Sequence, residues 1–92
     1  MAHTVRDRKK LVDRVRRIRG QLDAVERALQ DEQTCGDTLQ LIAACRGAIN
    51  GLMAEVLEGH IRDHVMDPTG DPASPQAQGA QELIDVVKTY LK

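Results

Sequence analysis

The sequence predicts an all-α fold of three helices, two long and one short. Apolar residues recur at spacings of three and four, and no stretch alternates apolar and polar residues as a strand does. Aromatic side chains are nearly absent, with one Tyr and neither Phe nor Trp, so the apolar residues are mainly aliphatic and suit helix packing. With 92 residues the chain is predicted to be one domain, 1–92, that buries too little surface alone. We therefore expect an oligomer.

The first helix is predicted from Thr4 to Gln30. Asp7 follows Thr4 by three residues, which resembles a capping box with Asp in place of Glu. Six apolar residues then form an unbroken seam at alternating spacings of four and three: Leu11, Val15, Ile18, Leu22, Val25 and Leu29. Such a seam is typical of antiparallel or coiled-coil-like helix packing.

The second helix is predicted from Cys35 to near Met66, after the same Thr-x-x-Asp start signal. Its thirty or so residues extend roughly 45 Å, so it must pack along its length on other long helices. Segment 67–74 contains two Asp-Pro pairs and predicts a turn. The third helix is predicted from Gln76 to Lys92.

The sequence favours a cytoplasmic protein. It contains no run of 18 apolar residues that would span a membrane, so no membrane partner is expected. The first ten residues lack the apolar segment of a signal peptide. In a reducing compartment the two cysteines are expected to remain thiols, which favours a metal or thiol role over a disulfide.

Basic residues concentrate in the first helix. Residues 1–30 hold nine Lys/Arg and four Asp/Glu, whereas residues 31–92 hold four and ten. Eight of the thirteen basic residues fall between Arg6 and Arg19, which indicates a polyanion partner such as double-stranded DNA. The candidate phosphate-contacting residues, interpreted as one exposed strip, are Arg14, Arg16, Arg17 and Arg19. The alternative is a solvated helix face.

His60 and His64 are candidate metal ligands because residues four apart project from one helix face. Cys35 opens the same helix and lies roughly 37 Å away along it, so a thiolate joining them must come from another subunit. Two solvated histidines are the alternative. Ile61 stands where a zinc protease would carry its catalytic Glu, so we expect no enzyme. A small metal carrier would not need the basic helix.

The remaining thiol and the N-terminus have different expected roles. Cys45 lies at an apolar position of the second helix and is predicted to be a small core residue. His3 offers an imidazole and a backbone amide, and removal of Met1 would leave Ala2 as the terminal amine. The alternatives are an ordinary exposed Cys35 and a disordered tail.

Three stretches together resemble the CsoR/RcnR family of bacterial repressors. They are segment 14–21 (RVRRIRGQ), Cys35, and segment 46–60 (RGAINGLMAEVLEGH). The resemblance covers nearly the whole chain and is weakest in 67–80. It implies a three-helix subunit, a tetramer built as a dimer of dimers, and no helix-turn-helix. It also implies that the apo form binds operator DNA and that an inducer releases it.

Within that family the sequence is most similar to the nickel/cobalt branch. This branch carries His3, Cys35, His60 and His64, and the Ala2 amine or an amide nitrogen would complete a six-coordinate shell. The resemblance therefore implies Ni(II) or Co(II) as the inducer, with Zn(II) as a further ion, and derepression of metal efflux genes. Copper sensors have a cysteine at the position of His64, which argues against Cu(I).

The formaldehyde-sensing branch is the alternative. It shares Cys35 and His60 but typically has proline after Met1 and a residue other than histidine at the second position of the pair. Ala2 and His64 depart from that pattern. The arginine-rich first helix is closer to this branch, in which Cys35 would react with the aldehyde and become cross-linked to the N-terminal amine.

Overall fold

The computed structural model describes residues 7–67 and 69–91, and within these ranges it is all-α. Three α-helices and one π-helical turn follow one another: α1 (Arg8–Gln30), α2 (Cys35–His60), the π turn (Ile61–Val65) and α3 (Pro75–Tyr90). The predicted three-helix architecture, with two long helices and a short third one, is confirmed. Thr4 and Lys92 lie outside the described residues, but the predicted bounds were wrong at both ends: Asp7 is the N-cap before α1 and not part of its first turn, and α3 ends before Leu91.

Helices α1 and α2 form an antiparallel hairpin. Ile18 and Ala28 of α1 and Cys45 of α2 are buried, as Cys45 was predicted to be. The six seam residues all lie in the described part of the chain, and Ile18 is the one that is buried there. The seam therefore contributes little to packing within one subunit. Three of its members stay more than 40% exposed: Val15, Leu22 and Leu29.

The connector between these helices is a tight helix-terminating turn. The N–H of Gln33 donates to the carbonyl of Ala28 at 3.0 Å, and the N–H of Glu32 approaches the carbonyl of Leu29 at 3.4 Å. This is a Schellman-type ending, and Glu32 occupies its left-handed position with φ 54°. Thr34 then caps α2 by accepting from the N–H of Asp37 at 3.2 Å, so the predicted start signal is confirmed.

The second long helix does not continue as an α-helix to Met66. After His60 the backbone widens into the π turn, and the N–H of Met66 donates to the carbonyl of Ile61, five residues back, at 2.8 Å. Ile61 is buried at 4% exposure. From the other side, Arg62 reaches α3 and donates to the amide oxygen of Gln81 at 3.1 Å. The π turn is thus held between α2 and α3.

Two aspartates shape the predicted turn before α3. Asp67 accepts hydrogen bonds from the hydroxyl and the N–H of Thr69, and these bonds lower the pKa of the Asp67 carboxyl. Asp71 accepts from the N–H of Ala73 at 2.9 Å. Ser74 caps α3, and the fully buried Ile84 anchors the helix where it packs on α2 and the π turn.

The subunit is one helix thick. Its extents are 56 × 25 × 12 Å, and the smallest of these matches the diameter of a single α-helix. The radius of gyration is 17.3 Å, whereas a compact chain of this length would have about 12 Å. Apolar side chains consequently remain exposed along α2, at Leu39, Ile42, Ile49 and Met53. No helix within the described ranges is both long enough and apolar enough to cross a membrane.

Candidate metal centre and nucleic-acid interface

The two predicted histidine ligands lie together at one end of α2. His60 is the last residue of the α-helix and His64 belongs to the π turn. Their ring centroids are 5.2 Å apart with planes tilted by 39°, and both residues are exposed. The pair thus brings two imidazole donors to one exposed spot, as the four-residue spacing predicted, although the intervening backbone is π-helical and not α-helical.

Cys35 lies at the opposite end of the same helix. It is exposed, its thiol is not in a disulfide, and it borders an apolar groove with Leu29 and Leu39. The 25 residue steps from Cys35 to His60 correspond to roughly 37 Å along the helix. Among the described residues, no three His, Cys, Asp or Glu side chains come close enough to hold a metal ion. One subunit therefore does not assemble the predicted ligand set from the residues described.

A second apolar groove adjoins the histidine pair. It encloses about 400 Å³ and is lined by α2 residues that precede and include His60: Ile49, Leu52, Met53, Val56, Leu57 and His60. Each end of α2 therefore has a potential metal donor beside an apolar groove: the Cys35 thiol at one end and the two imidazoles at the other. Sequence spacing did not reveal these grooves, because it predicts packing along the second helix without showing which of its apolar residues the rest of the chain covers.

Ala2 and His3, the remaining predicted ligands, lie outside the described residues. Asp7, four residues after His3, borders a groove together with Gly59 and Arg62. Asp7 therefore lies at the end of the molecule that carries His60, not at the end that carries Cys35.

The four predicted DNA-contacting arginines do not form one strip. Arg14 and Arg17 border a groove between α1 and α2. Successive residues of an α-helix are rotated by about 100°, so Arg16 and Arg19 lie on the side of α1 away from Arg14. The side chain of Arg16 is 72% exposed, whereas that of Arg14 is 34% exposed. The prediction of one strip was wrong because residues that are close in sequence lie on different sides of a helix, so a dense run of basic residues is divided between two faces.

A charged cluster next to the histidine pair was not anticipated. Glu58 accepts from Lys88 of α3 at 2.9 Å and from Arg62 of the π turn at 3.1 Å. These interactions, with the hydrogen bond from Lys88 as the largest contribution, lower the pKa of Glu58 in spite of its partial burial. The cluster ties α3 to the turn that carries His64. Glu58 and Arg62 are four residues apart, so their ion pair could have been predicted from the sequence, whereas the ion pair of Glu58 with Lys88 could not.

Comparison with known proteins places this geometry in a family. A family model described as metal-sensitive transcriptional repressor matches residues 7–89. An uncharacterised protein from the bioA 5′ region of Serratia marcescens is 51% identical over 92 residues, covering all of both chains. The transcriptional repressor RcnR of Salmonella arizonae is 40% identical over 92 residues, again covering all of both chains.

A solved structure shows the same fold. It is a glutamate-to-histidine variant of the formaldehyde-responsive regulator FrmR from Salmonella enterica serovar Typhimurium, with a TM-score of 0.63 and 41% sequence identity. The match covers 95% of this chain and 96% of the other. The resemblance found in segments 14–21 and 46–60 is thus confirmed. The chain belongs to the family of metal-sensitive transcriptional repressors, which are regulators and not enzymes.

Proposed function

We propose that this protein represses metal efflux genes by binding operator DNA in its metal-free form, and that Ni(II) or Co(II) releases it. The observation that carries the proposal is the exposed His60–His64 pair, whose rings lie 5.2 Å apart, in a chain of the metal-sensitive repressor family. Imidazole nitrogens with one thiolate suit these borderline metals, and Zn(II) accepts the same donors. Such a regulator would act in the cytoplasm.

The proposed metal site lies between subunits. When α2 helices of two subunits pack antiparallel, Cys35 of one comes to the end of α2 that carries His60 and His64 of the other. The apolar grooves at both ends of α2 support this arrangement, because each would be covered by the partner's helix. His3 and the Ala2 amine would join from the subunit that supplies the histidines, since Asp7 lies at that end of the molecule.

Oligomerisation completes the fold as well as the site. A subunit one helix thick leaves the outer seam of α1 and the exposed face of α2 without a second layer. Pairing two subunits would give a helical bundle of ordinary thickness. Pairing two such dimers would give the tetramer that the family resemblance implies.

DNA binding would rest on phosphate contacts from α1. The proposed contacts come from both faces of the helix, with Arg14 and Arg17 on one face and Arg16 and Arg19 on the other. No helix-turn-helix is formed by the described residues, so duplex shape and backbone charge would count for more than base-edge readout. Metal binding would then favour a form of the oligomer whose charges no longer match the duplex.

Formaldehyde sensing is the second candidate function, because the FrmR structure is as similar to this chain as RcnR is, at 41% and 40% identity. The exposed thiol of Cys35 would add to the aldehyde carbon and give a hydroxymethyl thioether. The N-terminal amine would then displace the hydroxyl as water and leave a methylene bridge. His64 is an argument against this function, because the reaction of the thiol and the amine with formaldehyde does not use a second imidazole.

Release from DNA distinguishes the two functions. The metal-free protein is bound to a labelled duplex containing its own promoter region, and fluorescence anisotropy is followed as Ni(II), Co(II) or formaldehyde is added. We expect release by the metals and retention with formaldehyde. Arg17→Ala, which removes an exposed α1 cation, should weaken binding and reduce the salt dependence by roughly one unit of slope per lost phosphate contact. Release by formaldehyde alone would transfer the assignment to the second function.

A further inference from the structure

Glu55 of α2 forms ion pairs with two basic residues of α1. Its Oε1 lies 3.2 Å from Nζ of Lys10, and its Oε2 lies 3.5 Å from Nε of Arg14. The carboxylate is 29% exposed, and Oε2 is buried without a hydrogen bond among the described residues, so the approach of Arg14 is electrostatic contact and not a short hydrogen bond. Two cations of the proposed DNA-binding helix thus face a carboxylate of the same subunit.

Gly51 leaves space for the Arg14 side chain against α2. A Cβ at Gly51 would come within 2.8 Å of Nη1 of Arg14, so the guanidinium lies directly against the α2 backbone. Glu55 is one helical turn further along and flanks the same guanidinium. Gly51 leaves room for the Arg14 guanidinium, and the opposite charge of Glu55 attracts it towards α2. The side chain of Arg14 is consequently half as exposed as that of Arg16.

We propose that Glu55 competes with DNA phosphates for Lys10 and Arg14, and so limits the affinity of the repressor for DNA. This inference rests on the proposed DNA binding by α1. Glu55 and a DNA phosphate attract the same two cations by their negative charge, so the attraction of Glu55 for Lys10 and Arg14 opposes their movement towards a phosphate. Each bound duplex must displace Glu55 before it gains these two cations. Glu55 acts as a built-in phosphate substitute, which keeps binding weak enough for an inducer to reverse.

The competition concerns backbone charge, so it should be independent of DNA sequence. Removing it should tighten binding to the protein's own promoter duplex and to an unrelated duplex by similar factors. It should also steepen the salt dependence, because additional phosphate contacts release additional counterions, with roughly 0.9 unit of slope for each.

The main test compares Glu55→Gln with wild type on both duplexes, by anisotropy over a series of salt concentrations. Glutamine keeps the size of the side chain and removes its charge. We expect roughly three- to tenfold tighter binding near 0.1 M salt and a steeper salt slope. Glu26→Gln, which removes the same charge from the exposed surface of α1 itself, is the matched control and should change binding far less.

Two further variants show whether the effect passes through the proposed contacts. Gly51→Ala should displace Arg14 from its position against α2 and tighten DNA binding, as Glu55→Gln does. Alanine also favours the helix, so the variant should fold. In a Lys10→Ala/Arg14→Ala background, Glu55→Gln should have no effect on DNA affinity, because the cations it releases are gone.

The proposal is overturned if Glu55→Gln binds both duplexes with wild-type affinity and slope. It is equally overturned if this variant binds more weakly, since Glu55 would then hold Arg14 in its binding position. Equal tightening by Glu26→Gln would reduce the effect to net charge and contradict the competition. Failure of the proposed function looks different: wild-type protein would bind neither duplex, or Arg17→Ala would leave its binding unchanged.

Discussion

At the scale of single residues, the chemistry of the candidate site depends on two imidazoles at the end of a long helix. The π turn that follows His60 places His64 beside it, with 5.2 Å between ring centroids. Ni(II) and Co(II) prefer nitrogen donors over carboxylate oxygen. The type of donor atom at position 64 should therefore influence metal affinity more than the charge of the side chain there.

His64→Glu tests that choice. Replacing the imidazole with a carboxylate should weaken Co(II) binding at least tenfold, corresponding to about 1.4 kcal/mol, because one nitrogen ligand is lost. The measurement is a Co(II) titration followed by visible absorption. Val65→Glu is the control: it adds the same carboxylate at an exposed neighbouring position and keeps both imidazoles, so it should retain wild-type affinity. Unchanged Co(II) affinity in His64→Glu would exclude His64 as a ligand.

At the scale of elements, α3 is attached to the rest of the subunit through few interactions. Ile84 supplies the buried apolar contact, and Glu58 links Lys88 of α3 to Arg62 of the π turn. Because the pKa of Glu58 is lower in the folded chain than its ordinary value of 4.5, the ionised form stabilises the fold. That contribution is present above the unfolded-state pKa and is lost as the pH falls through the folded-state pKa.

Glu58→Gln should therefore destabilise the metal-free protein in a pH-dependent way. Near neutral pH we expect a loss of about 1 kcal/mol in the free energy of unfolding, a modest value because the partners are partly solvated. Well below the ordinary value of 4.5 the difference from wild type should vanish, since wild-type Glu58 is then protonated too. Urea unfolding at neutral and acidic pH measures this, and a difference that stays constant with pH would contradict the assignment.

The connector before Cys35 contains local backbone strain. Glu32 has φ 54°, in the left-handed region that disfavours residues with a Cβ, and it ends α1 in the position where glycine is usual. Glu32→Gly should raise the free energy of unfolding by about 1 kcal/mol. Gln33→Gly, at the next position outside that region, should lower it or leave it unchanged. A destabilised Glu32→Gly variant would show that the Glu32 side chain contributes more than its backbone strain removes.

Local signals predicted the elements well and their junctions less well. The cap at Thr34 and the Asp-rich turn fixed the starts of α2 and α3 to within a residue, because the hydrogen bonds involved are local. The π turn was missed, since the hydrogen bond from Met66 to Ile61 has no distinguishing sequence pattern. The ion pairs of Glu55 were also beyond prediction, because they depend on how α1 and α2 align.

At the scale of the whole molecule, the described chain is a single layer of helices with exposed apolar residues on both α1 and α2. Periodicity predicts the seam of α1 as a packing surface, but it does not say which chain covers it. Half of the six seam residues stay exposed, and the Cys35 thiol and the histidine pair lie at opposite ends of α2. In the proposed oligomer, a partner subunit would cover the exposed apolar residues and bring the thiol to the histidine pair.

Subunit mixing tests the proposed inter-subunit metal site most directly. Cys35→Ala and His60→Ala subunits are each expected to lose the absorption from thiolate-to-Co(II) charge transfer, and Cys45→Ala, which alters the buried thiol, should keep it. After the two defective variants are unfolded together and refolded, each heterodimer has one site with both Cys35 and His60 intact, so about one quarter of all sites should regain the absorption. Mixtures that bind no more Co(II) than either variant alone would show that the thiolate and the imidazoles do not meet between subunits.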